Sequence, residues 1–243
     1  MRDEDQIALL NGFCAKYKRE FDRFCDVERQ DSSYRLSNSA FGPVDAEILY
    51  STVRHFRPRN IVEIGSGNST LLFAEALEKN RTETGQACEL TAIEPYPNQT
   101  LITGFPGLTK LLRVPVQRVA LTEFERLVAN DILFIDSSHV LKTGSDVQYE
   151  FLEILPRLQC GVLVHIHDIF LPNEYPRAWV VDELRFWNEQ YILQAFLSFN
   201  SAFEVLWAGS YMNTNHPELL RTAFASYGDG KRVPGSFWIR KVR

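Results

Sequence analysis

A chain of 243 residues with 45% hydrophobic and 23% charged residues is long enough to bury a sizeable α/β core. Its net charge of -5 excludes the broad basic footprint that nucleic-acid binding needs, and no apolar run is long enough to span a bilayer. The charged N-terminus has no signal-peptide core, and the four cysteines lack metal or disulfide spacing, so we expect reduced thiols in a cytoplasmic protein.

Helical patterns dominate the start of the chain. Apolar residues recur at helical spacing between Ile7 and Phe24, within a predicted helical segment over 1–30. After a loop, the segment 45–56 predicts a second helix, capped by Asp45 or by the turn at Gly42–Pro43.

From residue 60 onwards, short apolar runs alternate with helical segments. We expect strands over 60–67, 89–96, 111–121, 131–139 and 161–170, with helices over 69–79 and 146–158 between them. The aromatic tail predicts helix over much of 174–199 and then two late strands, 203–209 and 235–242, antiparallel at the sheet edge. This alternation favours an α/β fold: a Rossmann-like, doubly wound, mostly parallel sheet with a late antiparallel edge strand and helices on both faces.

A glycine turn, VEIGSGNST, follows the first predicted strand. Gly65 and Gly67 would let a ligand approach backbone amides that a β-carbon would obstruct, although a bare turn is the alternative. A dinucleotide-binding loop favours a third glycine, and Thr70 stands there instead. Glu94 ends the second strand, where a carboxylate can accept hydrogen bonds from a ribose diol.

Ionisable residues stand at the ends of the fourth and fifth predicted strands, directly after hydrophobic residues. Asp136 and His139 follow the fourth strand, and His167 and Asp168 end the fifth, so all four should face one crevice. His165 shares a strand face with His167. Three uses remain open: a histidine base for a hydroxyl proton, a divalent-ion site that lowers the hydroxyl pKa, or a structural hydrogen-bond network.

The glycine turn and the strand-end acid together resemble the class I S-adenosylmethionine-dependent methyltransferases over roughly residues 45–170. The resemblance implies that Glu63 and the loop hold the methionine part of the cofactor and that Glu94 holds its ribose. It places Tyr96 beside the adenine, Val119 and Ala120 on the other side of the base, and Asp136 facing the cofactor. The loop residues concerned are Gly65, Ser66, Gly67, Asn68 and Ser69.

Three longer motifs, IDSSHV, HIHDIFLPNEYP and FWNEQYILQAFL, are similar to those of a bacterial subgroup of these methyltransferases. Catechol-type O-methyltransferases hold magnesium with an acid after strand four and an acid–amide pair after strand five. Asp136 and Asp168 align with two of those positions, but Ile169 replaces the amide. A metal set of Asp136, His139 and Asp168 would therefore suit zinc, manganese or iron.

The aromatic tail offers candidate substrate contacts. We expect the aromatic rings of Tyr175 and Trp179 to pack against an acceptor, and the side chains of Asn188 and Glu189 to form hydrogen bonds with it. The alternative is that these residues belong to the core, because aromatic residues at helical spacing often do.

These features predict a single methyltransferase domain over 1–243. Residues 1–44 would form an N-terminal helix and cap, 45–170 the cofactor-binding core, and 171–243 the lid helices and final strands. We expect O-methylation of a small molecule from S-adenosylmethionine, with His139, His167 and Asp168 handling the proton or a divalent metal. A nucleotide-dependent oxidoreductase and a non-catalytic member of the fold are the alternatives. We expect no nucleic-acid or membrane partner, and a possible homodimer through the hydrophobic tail.

Overall fold

The computed structural model describes residues 1–25, 34–38, 40–228, 230 and 232–243. Within them, seven strands form one sheet in the order β3-β2-β1-β4-β5-β7-β6. The strands are β1 Asn60–Ile64, β2 Glu89–Ile93, β3 Lys110–Leu112, β4 Ile132–Ile135, β5 Leu163–Ile166, β6 Phe203–Ala208 and β7 Phe237–Lys241. The first five are parallel, and β7 runs antiparallel to both of its neighbours, β5 and β6. The doubly wound, mostly parallel fold is therefore confirmed, with the antiparallel strand inserted one place inside the edge.

Helices cover both faces of this sheet. They are α1 Asp3–Phe21, α2 Asp45–Phe56, α3 Asn68–Thr84, α4 Gln99–Thr103, α5 Thr122–Glu125, α6 Asp146–Tyr149, α7 Leu155–Arg157, α8 Glu189–Leu197, α9 Gly209–Asn215 and α10 Pro217–Ala223. A π-helical turn over Glu150–Ile154 joins α6 to α7. Among the described residues, no helix has both the length and the apolarity needed to cross a membrane.

The strands β1, β4 and β5 bury apolar side chains on both faces, which is why their sequences are continuous hydrophobic runs. In β1, Ile61 packs into one cluster with Phe13 of α1 and Phe73 of α3. The next residue, Val62, packs into a second cluster on the opposite face, with Phe151 of the π-helical turn. The sheet is thus enclosed in two cores, and polar ligands can reach it only where the strands end.

The start of α2 corrects one expectation. Asp45 does not cap the helix; instead Glu47 accepts a hydrogen bond from the Val44 amide at 2.7 Å. The Asp45 carboxylate accepts hydrogen bonds from the amides of Gly235 and Ser236, at 3.0 Å each. It therefore fastens α2 to the segment that leads into β7, a contact that local sequence could not reveal.

Two predicted elements are shorter in the structure. The strand expected over 111–121 ends at Leu112, and a short 3-10 turn, Val116–Arg118, follows Pro115, which has no N–H to donate to a sheet. The helix expected over 174–199 consists of a π-helical turn, Ala178–Asp182, an irregular stretch and then α8. Residues 26–33, which include the end of the first predicted helical segment, lie outside the described residues.

Candidate active site

The turn after β1 depends on Gly65. Its φ of +77° lies in the left-handed region, and a β-carbon there would lie 1.7 Å from the carbonyl oxygen of Asp136. The Gly65 amide donates to the carbonyl of Ile93 at 3.0 Å. Only glycine therefore lets the loops after β1 and β4 approach this closely.

The amides of the same turn bind protein groups. The Ser66 amide donates to Oε2 of Glu94 at 3.3 Å, and the Gly67 amide donates to Oγ1 of Thr70 at 2.9 Å. Thr70 stands where a dinucleotide-binding loop favours glycine, and here its hydroxyl uses an amide that a pyrophosphate would need. The turn is therefore poorly suited to hold a phosphate group.

Beneath the turn lies the carboxyl group of Glu63, which is 0% exposed. Its Oε1 atom accepts a hydrogen bond from Ser69 at 2.6 Å, while Oε2 has no hydrogen-bond partner among the described residues. Burial raises the pKa of Glu63 to about 8. A buried carboxyl oxygen without a partner matches a ligand with a positively charged group.

A cavity of about 460 Å³, here called the glycine-loop cavity, opens at the carboxyl ends of β1, β2 and β4. Its lining includes Gly65, Glu94, Tyr96, Val116, Gln117 and Asp136. Tyr96 is 89% exposed and stands at the rim. Val116 and Gln117 line this cavity, whereas Val119 and Ala120, which were expected beside the base, do not.

The structure brings Asp136, His139 and Asp168 together at the ends of β4 and β5. Nε2 of His139 lies 3.3 Å from Oδ1 of Asp136 and 3.8 Å from Oδ2 of Asp168. One ligand atom from each residue lies within 4.8 Å of the others, a spacing that could hold a metal ion. These are the three residues expected as metal ligands.

The opposite nitrogen of His139 contacts Glu189, the first residue of α8. Nδ1 lies 2.8 Å from Oε2 of Glu189, which is fully buried. Burial alone would lower the pKa of His139, but its hydrogen bonds to Asp136 and Glu189 hold that pKa well above its usual value. Glu189 therefore fixes an N–H on Nδ1 and directs Nε2 at the two aspartates.

The two histidines of β5 differ in their surroundings. His165 is fully buried and stacks on Phe134, with the ring centroids 4.1 Å apart. Burial, and then the charge of His167, lower the pKa of His165 well below its usual value, so it is a neutral core residue. Nδ1 of His167 lies 3.3 Å from Nε2 of His165, and its Nε2 lies 3.8 Å from Oδ1 of Asp168. Only His167 reaches the crevice.

His139 and Asp168 have left-handed backbone conformations, with φ of +59° and +55°. Such a conformation costs a residue other than glycine roughly 1–2 kcal/mol. The His139 carbonyl accepts bonds from the amides of Asn188 and Glu189, and the amide after Asp168 donates to the Gly235 carbonyl. The surrounding structure thus maintains two unfavourable conformations that aim these side chains into the crevice.

A second cavity of about 570 Å³, here called the tryptophan cavity, shares Asp136 with the glycine-loop cavity. Its lining also includes His167, Asp168, Phe170, Trp179, Trp187, Arg185, Arg232 and Asp45. Of the expected substrate residues, Trp179 lines this cavity. Tyr175 is buried, with its hydroxyl bonded to the Gln190 amide, and Asn188 binds the backbone of Leu141. Glu189 contacts His139, and none of these three residues is in the lining of the cavity.

Sequence reasoning missed Arg185, Arg232 and Asp45 as cavity residues. Arg185 had a local signal, because it lies between Trp179 and Trp187 in the sequence and guanidinium groups stack on indole rings. Arg232 and Asp45 had none, because their neighbours in the cavity come from distant parts of the chain.

Comparison with known proteins identifies the centre of the chain. A family model described as a methyltransferase domain matches residues 62–169, from β1 to just past β5. This match confirms the resemblance to the methyltransferases. A protein of Archaeoglobus fulgidus, described as uncharacterized, is 39% identical over 101 residues, or 41% of this chain. That match spans 44% of the relative, less than half of its length.

Two solved structures are similar over most of the chain. The one titled "CmcI-N160 apo-structure" has a TM-score of 0.49 and 15% identity, covering 91% of this chain and 84% of its own. The one titled "cmcI-N160 SAH" has a TM-score of 0.46 and 14% identity, covering 91% of each chain.

Proposed function

From the premise that residues 62–169 match the methyltransferase domain family, we propose that this protein transfers a methyl group from S-adenosylmethionine to a hydroxyl group of a small molecule. One observation carries the proposal. The glycine-loop cavity and the tryptophan cavity both include Asp136, so a donor in the first would face an acceptor in the second. Holding two reactants at such a junction is the main source of rate acceleration in a bimolecular transfer.

Residues in and next to the glycine-loop cavity fit the donor. S-adenosylmethionine carries an ammonium group, a sulfonium group and a ribose diol, and the unpartnered Oε2 of Glu63, buried beneath the turn that lines the cavity, is suited to a cation. The carboxylate of Glu94 is oriented by bonds from the amides of Ser66 and Tyr96, and it retains lone pairs for a diol. Since the Gly67 amide is already bonded to Thr70, the same turn fits a nicotinamide dinucleotide poorly.

The cluster of Asp136, His139 and Asp168 fits a divalent metal ion. Two carboxylates and an imidazole suit manganese, iron or zinc better than magnesium, and Glu189 supplies the carboxylate that commonly orients a metal-binding histidine. A bound ion would lower the pKa of the acceptor hydroxyl.

The residues of the tryptophan cavity would position the acceptor. The acceptor oxygen attacks the methyl carbon, the carbon–sulfur bond breaks, and its electron pair stays on sulfur, which leaves a neutral thioether. We assign the hydroxyl proton to Nε2 of His167, which lines the same cavity and lies 3.8 Å from Oδ1 of Asp168. Trp179 and Trp187 would exclude water from the transfer.

The geometry favours this arrangement over His139 acting alone as the base. Two carboxylates face Nε2 of His139, and they favour a cation at that position, either a metal ion or a proton. With a metal ion there, Nε2 of His139 would be a ligand and would have no lone pair left to accept the hydroxyl proton.

Calorimetric titration tests the proposal. S-adenosylhomocysteine should bind the wild-type protein with and without chelator, and a nicotinamide dinucleotide should not bind. Asp168→Asn should keep this binding and lose the binding of Mn²⁺, because Asp168 lines only the tryptophan cavity. The exposed control Asp182→Asn should keep both. If S-adenosylhomocysteine binds in neither condition, the proposed activity is wrong; if Mn²⁺ binds Asp168→Asn normally, the metal site is wrong.

A further inference from the structure

The tryptophan cavity is lined by side chains of both charges. Asp136 and Asp168 are acidic, while Arg185 and Arg232 are basic. Asp45 is a third carboxylate in the lining, but both of its oxygens already accept backbone amide hydrogen bonds. The two guanidinium groups are therefore the part of this lining suited to an anion.

Arg185 is held in one orientation by its neighbours. Its guanidinium carbon lies 4.2 Å from the ring centroid of Trp179 and 4.8 Å from that of Trp187. Its Nε atom donates to Glu183 at 2.7 Å. Stacking fixes the plane of the group, and the bond to Glu183 occupies one edge, so little side-chain entropy remains to be lost on binding.

The other edge of Arg185 is available. Within the part of the chain that the structure describes, its two terminal nitrogens donate no hydrogen bond, and the residue lines the cavity. Two parallel N–H donors on a fixed plane match the two oxygens of a carboxylate.

Arg232 adds positive charge nearby. It donates to the Asn38 carbonyl at 2.9 Å, and its guanidinium lies against Gly42, where a β-carbon would come within 2.1 Å of it. Because Gly42 has no side chain, the guanidinium group of Arg232 can occupy this position beside the cavity.

We propose that the acceptor is a hydroxy acid, with its hydroxyl at the Asp136–Asp168 end and its carboxylate paired with the free edge of Arg185. This inference rests on the proposed function for the hydroxyl end only. The carboxylate subsite follows from Arg185 and its two indole neighbours, whatever reaction takes place at the other end. Groups of opposite charge would hold the acceptor in one orientation, with its hydroxyl toward Asp136, the residue shared with the glycine-loop cavity.

Two matched probes test the subsite. 3,4-Dihydroxybenzoate and 3,4-dihydroxybenzamide share a ring and two hydroxyls but differ in charge. Each is titrated calorimetrically into the protein saturated with S-adenosylhomocysteine and Mn²⁺. A charge-assisted bidentate pair predicts that the wild-type protein binds the acid about 10- to 100-fold more tightly than the amide.

Variants locate that preference. Arg185→Gln should abolish the preference for the acid while changing the affinity for the amide less than about 3-fold. Arg185→Lys should keep part of the preference, because a lysine ammonium keeps the charge but cannot donate two parallel hydrogen bonds to a carboxylate. Arg177→Gln is the matched control, since Arg177 is exposed on the same segment and does not line the cavity. The melting temperatures of all variants show whether the fold is intact.

The outcomes separate the two proposals. Failure of the acid to bind, equal binding of acid and amide, or a preference that survives Arg185→Gln overturns the carboxylate subsite. An Arg185-dependent preference without methylation of the acid from S-adenosylmethionine supports the subsite and counts against the proposed transfer. Methylation of both probes at equal kcat/KM supports the transfer and refutes the subsite.

Discussion

Replacing Glu63 with glutamine should make the protein more stable relative to wild type as the pH rises. The folded protein holds the Glu63 proton up to about pH 8, because burial raises the pKa of this carboxyl group to about 8. The unfolded chain releases the proton near pH 4.5. Wild-type stability therefore loses a contribution as the pH rises between those values, and Glu63→Gln has no such proton to release.

The size of the effect follows from the difference between the two pKa values. One unit of pKa corresponds to about 1.4 kcal/mol, so the variant should gain roughly 3.5 kcal/mol relative to wild type between pH 5 and pH 8. The side-chain oxygen of glutamine can still accept the hydrogen bond from Ser69. Burying its NH2 group costs unfolding free energy, but this cost does not change with pH, because the amide does not titrate. The slope with pH, rather than the stability at one pH, is therefore the informative quantity.

Urea unfolding of both proteins at pH 5, 6.5 and 8, with chelator present, measures this slope. Glu125→Gln is the control, because that side chain is 44% exposed and the same substitution there removes no buried carboxyl group. If the difference between Glu63→Gln and wild type stays within about 1 kcal/mol across this range, Glu63 does not carry a raised pKa. Saturating S-adenosylhomocysteine should flatten the wild-type dependence, since its ammonium group would favour the charged carboxylate.

Three further changes have definite expected results. Gly65→Ala should lower the free energy of unfolding in urea by about 2–4 kcal/mol. Gly67→Ala is its control, because a β-carbon there contacts no other atom, and its free energy of unfolding should stay within about 1 kcal/mol of wild type. Equal losses in the two variants would contradict the role of the close contact at Gly65. Glu189→Gln should weaken Mn²⁺ binding about 10- to 100-fold by calorimetry, because it removes the charge behind His139, and unchanged affinity would show that this contact does not tune the site. Phe134→Ala should cost about 3–5 kcal/mol of unfolding free energy, and a loss below about 1 kcal/mol would mean that the core collapses around the gap.

The parallel part of the sheet could be predicted because its signals are local. Strands buried on both faces read as apolar runs, and short helical patterns separate them. The insertion of β7 between β5 and β6 has no such signal, because it depends on pairing between Leu163 and Arg240 and between Glu204 and Arg240. The secondary structure of residues 174–199 was harder to predict, because the spacing of their apolar residues is typical of a helix. In the structure, Pro176 and the hydrogen bond from the Arg185 amide to the Trp179 carbonyl interrupt the helix.

The same distinction applies to the site. The convergence of Asp136, His139 and Asp168 could be anticipated, since the carboxyl ends of neighbouring parallel strands meet at one edge. The contact between Glu189 and His139 could not, because the two residues are 50 positions apart and Glu189 reads as a first-turn helix acid. What these residues do in a reaction remains a prediction that the titrations above would test.

The hydrogen bonds that the amides of Gly235 and Ser236 donate to Asp45 join residues 190 and 191 positions apart. Contacts of such long sequence separation form late, because closing a long loop costs entropy that only later contacts recover. The glycine-loop cavity needs only residues between 64 and 146. We therefore expect a refolding chain to bind S-adenosylhomocysteine before Asp45 and Gly235 come together in the lining of the tryptophan cavity, so that recovery of ligand binding precedes recovery of turnover.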